Sequence, residues 1–260
     1  MASRNGLNPK IRGPKGVGYG RALPAPFSFG NGLCPDGVDD YLLIPGLAGK
    51  TWPLEGTIEF WGTVMRNAGQ REFWVSFQDT SRIDVTTFHI TSPGIESPVH
   101  GTAAALPPGT YNYGDKHHYA FMWDASNLYA WGDVVPGQIS SESLTSSVNL
   151  VIDSVALGAI IDGSLPSNTK FDEFRVYNRK LSLTELILND NGGTGNNPST
   201  TENLILWYQF EKFETLDFSS LQDGSDIGTG IRDFSGRNNH AKPFNMDTNP
   251  ASPTYVLQPI

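Results

Sequence analysis

The sequence predicts an all-β fold: an antiparallel β-sandwich of jelly-roll type with one short helix and an extended N-terminal arm. Three observations carry this. Gly (28 residues) and Pro (18) are frequent while charged residues make up only 17% of the chain, a mix that suits many short strands joined by tight turns. Short segments of alternating or apolar character recur with turn residues between them. No long stretch has a 3.6-residue apolar period, and the clearest helix candidate spans only 183–189.

Taken in order, DGVDDYLLIPG (36–46) is a turn followed by an apolar strand. GTIEFWGTV (56–64) alternates, with Ile58, Phe60 and Gly62 on one face and Glu59 and Trp61 on the other. REFWVSFQD (71–79) alternates again. HHYAFMWDASNLYAWGDVV (117–135) is a hairpin turning at Asp124–Asn127, and NLVIDSVALGA (149–159) is a further strand. FDEFRVY (171–177) is a strand with Phe174 and Val176 opposite Arg175 and Tyr177. Directly after it, Ser182 and Glu185 have capping-box spacing and start the helix. NLILWYQFE (203–211) is an aromatic strand, and RDFSGRNNHA (232–241) a turn-rich segment.

The chemistry is bounded mainly by exclusion. GLAGKT (46–51) ends like a phosphate-binding loop, but Ile44 stands where the first glycine is required. GVGYG (16–20) lacks the flanking strand and helix of a dinucleotide site. Neither G-x-S-x-G nor H-E-x-x-H occurs. His117 and His118 point to opposite faces of a strand and cannot easily share a metal. The lone Cys34 permits no intrachain disulfide and reads as a small packed residue. A glycosidase needs two carboxylates across a cleft. Asp172 and Glu173 are adjacent and so are expected to point apart, and Glu59 stands alone.

Charge is unevenly placed. Residues 1–35 contain Arg4, Lys10, Arg12, Lys15 and Arg21 and no acid. Removing these five from 18 Lys and Arg leaves 13 against 27 acidic residues, a body near −14. The arm, 1–28, is Gly- and Pro-rich and cannot build its own core. Its charge is too dilute for nucleic-acid binding beside so acidic a body. It is expected to lie on acidic surfaces of sister copies or neighbouring proteins. No apolar run reaches membrane-spanning length. The N-terminus has basic residues without an apolar stretch, so no Sec signal peptide is expected.

DGVDDYLLIP, GTIEFW, HHYAFMWDASNLYAWGD, VALGA and FDEFRVYNRKLSLTEL together resemble, in order and spacing over about 29–188, a laminin-G-like jelly roll of the concanavalin A-like lectin/glucanase superfamily. The resemblance implies circular permutation. The aromatic strand and D-x-SG-x-x-N-H-like turn that usually come first stand last here, and 200–260 is expected to complete a single sandwich spanning 29–260. It also implies a structural Ca²⁺ near the sandwich rim. Asp39, Asp172 and Asp233 are its candidate ligands by position, although each also reads as a turn or capping residue.

Two functions are carried forward. One is a non-enzymatic structural or attachment module of a viral (phage) particle. It would have a lectin-like body and an assembly arm contacting sister copies or other virion proteins, and would bind host surface glycan. The other is a glycan-binding lectin module of a bacterial cell-surface system. A glycoside hydrolase ranks last. The corresponding location is the virion, or the cytoplasm before assembly. For sugar stacking, Trp52 in the loop GKTWPLEG is the best exposed aromatic, because the other five tryptophans fall in predicted strands.

Overall fold

A computed structural model describes residues 29–51, 54–65, 74–78, 87–89, 94–97, 102–106, 112, 114–144, 151–160, 163–218 and 227–260. The arm residues Arg4, Lys10, Arg12, Lys15 and Arg21, and the loop residue Trp52, lie outside them. The strands are β1 (Asn31–Leu33), β2 (Tyr41–Leu43), β3 (Gly56–Thr63), β4 (Val75–Gln78), β5 (Thr87–His89), β6 (Gly94–Ser97), β7 (Thr102–Ala105), β8 (Lys116–Trp123) and β9 (Asn127–Gly132). They continue with β10 (Ser140–Ser143), β11 (Ser154–Leu157), β12 (Lys170–Tyr177), β13 (Leu204–Tyr208), β14 (Glu214–Asp217), β15 (Ile227–Gly230), β16 (Lys242–Phe244) and β17 (Leu257–Pro259). Among the described residues, a single α-helix, α1 (Leu183–Asp190), follows β12.

The fold is the antiparallel β-sandwich that the alternation predicts. The large sheet runs β10-β9-β8-β3-β12-β1-β17, with β13 also paired to β12, and the small sheet runs β16-β2-β11-β4. β5-β6-β7 and the hairpin β14-β15 form two minor sheets. The last strands in the chain sit among the first. β13 pairs with β12, β16 with β2, and β17 with β1.

The alternation in β3 places Ile58 and Phe60 inward. They meet Tyr119 and Phe121 of β8, Phe174 and Val176 of β12, and Val155 and Leu157 of β11 in one continuous apolar core. The packing is close at the end of the β3–β8 pair: Gly56 stands opposite Trp123, and a Cβ there would fall within the Trp123 ring, so only glycine fits.

The large sheet is covered on its outer face as well. Ala120, Met122, Trp131, Tyr177, Leu204 and Trp207 project outward there and are sealed by Leu181 and Leu186 at the start of α1 and within it. The capping box forms as the sequence predicts: the Ser182 side chain accepts from the Glu185 backbone N–H, and the Glu185 carboxylate accepts from Ser182. The left-handed Asn191 ends the helix. Among the described residues, no helix is long and apolar enough to cross a membrane.

Candidate functional site

Three places hold polar groups worth weighing: a network under α1, an acidic loop before β2, and a pocket at one end of the sandwich.

The network begins with a backbone irregularity. The pairing of β12 with β3 shifts register between Asp172 and Arg175, and Glu173 takes a left-handed φ of 50°. This bulge inserts an extra residue and re-aims side chains. Asp172 and Glu173 therefore do not point apart as simple alternation predicts. Asp172 stands opposite Trp61 and Arg175 opposite Glu59, on the outer face, while Glu173 turns to the same Arg175. Arg175 donates to Glu59 Oε1 at 3.1 Å and to Glu173 Oε2 at 2.8 Å. Glu173 also accepts the Trp207 indole N–H at 2.7 Å. Nor is Glu59 alone: it accepts from the Asn189 amide on α1 and from the Tyr177 hydroxyl, with His118 Nε2 at 3.5 Å.

Burial pulls Glu59 upward, but His118, Arg175 and Asn189 outweigh it and hold the carboxyl at about 2. Burial dominates at Glu173 and raises it against the pull of Arg175. Burial and the Glu173 charge push Asp172 well above the ordinary carboxylate range. Two acids with environments split in this way resemble a catalytic acid/base pair. Yet Glu59 is 0% exposed, Glu173 2% and Arg175 1%, and α1 closes over them, so substrate has no path to either carboxylate. The arrangement can hold the helix to the sheet and orient the sheet's outer face.

In the acidic loop, Asp36, Asp39 and Asp40 bring carboxylate oxygens within 4.8 Å of one another. Asp36 Oδ1 accepts from the backbone N–H of Val38, and Asp40 Oδ2 from that of Asp36. Burial, and then the neighbouring charges of Asp36, Asp39 and Asp247, raise Asp40 to about 6 despite the Asp36 hydrogen bond. Three crowded carboxylates of this kind suit a hard, oxygen-ligated cation.

Asp39, Asp172 and Asp233 do not come together as one donor group among the described residues. Asp172 is buried in β12. Asp233 spends both oxygens on its own turn and on β13. Oδ1 accepts from the backbone N–H of Trp207 and Ser235, and Oδ2 from the Ser235 hydroxyl and the Asn239 backbone N–H. The Asp233 backbone N–H in turn donates to His240 Nδ1 at 3.0 Å, which puts the imidazole proton on Nε2. Burial depresses the His240 pKa.

That turn forms one wall of the pocket. The cavity, about 450 Å³, is lined by Leu47, Lys50, Thr51, Ile152, Asn178, Ile205, Arg237 and Asn239. Among the described residues, five chain segments build it: the loop after β2, the approach to β11, the end of β12, β13 and the Asp233–His240 turn. The first two are laced together by Gly49 N–H to Ile152 O (2.7 Å) and Ile152 N–H to Lys50 O (2.8 Å). Asn239 donates to Ile205 O at 2.7 Å, tying the turn to β13. Leu47 and Ile152 are buried and form an apolar floor, while Lys50, Thr51, Asn178 and Arg237 are exposed at the rim. The volume lies within the roughly 300–1,000 Å³ usual for small-ligand sites. A floor of aliphatic carbons under a rim of amides, hydroxyl and cations can take a polar ligand with a hydrophobic face.

Sequence reasoning reached part of this pocket. The loop GKTWPLEG, singled out for Trp52, supplies Lys50 and Thr51. Arg237 and Asn239 lie in RDFSGRNNHA, which reads only as a turn; the signal was its density of amide and charged side chains. The five described tryptophans, Trp61, Trp74, Trp123, Trp131 and Trp207, are all buried.

No family model matches the chain, and no curated protein matches it. Among solved structures, it is similar to a Bacteroides ovatus ATCC 8483 protein described as a carbohydrate-binding candidate, at a TM-score of 0.54 and 15% identity, over 82% of this chain and 57% of that one. This chain thus spans little more than half of that protein. Looser likenesses are a heptameric SAP-like pentraxin from Limulus polyphemus (TM-score 0.43, 11% identity, 62% of this chain and 87% of that one) and a Trypanosoma rangeli sialidase (TM-score 0.40, 15% identity, 60% and 26%). The first of these likenesses shows a shared fold; fold alone does not assign an activity.

Proposed function

We propose that this chain is a non-catalytic, lectin-like module that binds glycan in the pocket between the loop after β2 and the Asp233–His240 turn. The observation that carries this reading is the pocket's composition. A sugar ring presents hydroxyls at its edge and C–H groups on its face, and the rim and floor of this cavity offer complementary partners to both. The likeness to a carbohydrate-binding candidate of the same fold supports it. The sealed Glu59–Arg175–Glu173 network supports the absence of catalysis, because acids without access to solvent cannot act on a bound glycan.

A glycan array probed with the protein tests the reading. The expected result is retention on a restricted set of glycans, weakened several-fold in Asn178→Ala, with no reducing ends released on prolonged incubation. Absence of retention would refute the binding role. Hydrolysis that disappears in Glu173→Gln would refute the non-catalytic one.

The acidic loop is proposed as a structural Ca²⁺ site, with Asp36, Asp39 and Asp40 as ligands. Ligand binding to the folded state alone raises stability by RT ln(1 + [L]/Kd), about 2.7 kcal/mol at a hundredfold excess over Kd. Added Ca²⁺ is expected to raise the thermal midpoint of the wild type and leave Asp39→Asn unchanged. Equal midpoints with Ca²⁺ and with chelator in the wild type would count against it.

A further inference from the structure

We infer that the pocket selects an acidic glycan, whose oxyanion, a carboxylate or a sulfate ester, is held between Lys50 and Arg237. This rests on the glycan-binding reading above and adds the chemical class of the ligand.

The inference comes from how the other cations are used. Ten Lys and Arg residues lie among the described residues. Five are engaged by carboxylates: Arg175 with Glu59 and Glu173, Arg179 with Glu185, Lys180 with Asp124, and Lys212 and Arg232 with Glu214. Two more rest on aromatic rings, Lys116 over Phe29 at 3.2 Å and Lys242 over Phe218 at 4.8 Å. A protein with net charge −9 has carboxylates to spare, so an exposed cation that finds none has been kept from them.

Among the described residues, the side chains of Lys50, Lys170 and Arg237 have neither a carboxylate nor a ring partner. Two of these three line the same cavity, although they are 187 positions apart in sequence and reach it from different loops. Among the described residues, no acidic side chain lines the cavity with them. Their companions, Thr51, Asn178 and Asn239, can bond hydroxyls without competing for the cations.

The turn that carries Arg237 is also unusually fixed. Asp233 takes four hydrogen bonds from the strand and turn around it, and Ser235 Oγ accepts the Arg237 backbone N–H at 3.2 Å. A planar guanidinium carried on a hydrogen-bonded turn and a flexible ammonium lining the same cavity are a fitting pair for an oxyanion. Arginine binds two oxygens in its fork, and lysine supplies a mobile point charge.

The test is binding of three probes by calorimetry: oligogalacturonate, sulfated dextran oligosaccharide and the unsulfated dextran oligosaccharide. The wild type is expected to bind at least one acidic probe more tightly than dextran, with the preferred acidic probe telling carboxylate from sulfate. Lys50→Gln and Arg237→Gln are expected each to lose roughly tenfold in affinity for that probe, as befits a lost charge-assisted hydrogen bond. Lys50→Arg should retain it. Both positions are exposed, and unchanged thermal midpoints will show that the variants fold. Tight binding of dextran that neither variant alters would overturn the acidic-ligand inference while leaving a glycan-binding module in place. Failure of all three probes, together with an empty glycan array, would overturn both.

Discussion

At Asp40 the fold works against an ionised side chain. The residue is 4% exposed and is raised to about 6 by burial and by Asp36, Asp39 and Asp247. The sign follows from linkage. A carboxyl whose folded pKa exceeds its unfolded value, near 3.9, binds more protons when folded, so stability falls as pH rises from about 4 to 6. Asp40→Asn is expected to flatten that slope in thermal denaturation measured between pH 4 and 6 without Ca²⁺. An unchanged slope would place the titration elsewhere. Asp233 serves as a hub for backbone N–H groups, and Asp233→Ala should cost about 1–3 kcal/mol by leaving those donors unpaired. It should also loosen Arg237 and Asn239, weakening glycan binding and stability together. That Asp233 organises a turn was legible in Asp-Phe-Ser-Gly, whose residue types favour side-chain-to-backbone bonds. That Arg237 would line the same cavity as Lys50 was not, because nothing local in the sequence encodes which distant loops converge.

Among the elements, β12 and α1 are the most informative pair. The strand and the capped helix were both readable, one from alternation and the other from Ser182 and Glu185. The bulge at Glu173 was not. Nothing in the residue types announces a left-handed glutamate within a strand, and a one-residue insertion inverts every inference about which acids share a face. The consequence is energetic as well as geometric. Arg175 is the common partner of two buried acids, so Arg175→Met would strand Glu59 and Glu173 in the interior at a cost of about 3–5 kcal/mol. Urea denaturation should show that loss, whereas Ser182→Ala, which removes only the helix cap, should cost about 0.5–2 kcal/mol. If the two substitutions cost the same, the network is not what fastens α1 to the sheet.

For the whole molecule, the order of strands in sequence and in space differ, and the pocket depends on the difference. β13, β16 and β17 enter both sheets from the C-terminal part of the chain, and the same part brings Ile205, Arg237 and Asn239 to a cavity begun by Leu47, Lys50 and Thr51. A chain ending at residue 199 would leave β12, β2 and β1 with unpaired edges and an open core, and is expected to be insoluble or molten by near-ultraviolet circular dichroism. The sandwich itself was legible because strand periodicity is a local signal; the pocket arises where five separate segments converge, which only the folded chain defines.

Glycan binding in this pocket can be seen or ruled out at atomic detail. A crystal structure of the protein with its best-binding oligosaccharide tests it most directly. The expected result is a sugar ring over Leu47 and Ile152, with an acidic group between Lys50 and Arg237. A sugar bound elsewhere, with the cavity filled only by solvent, would contradict it.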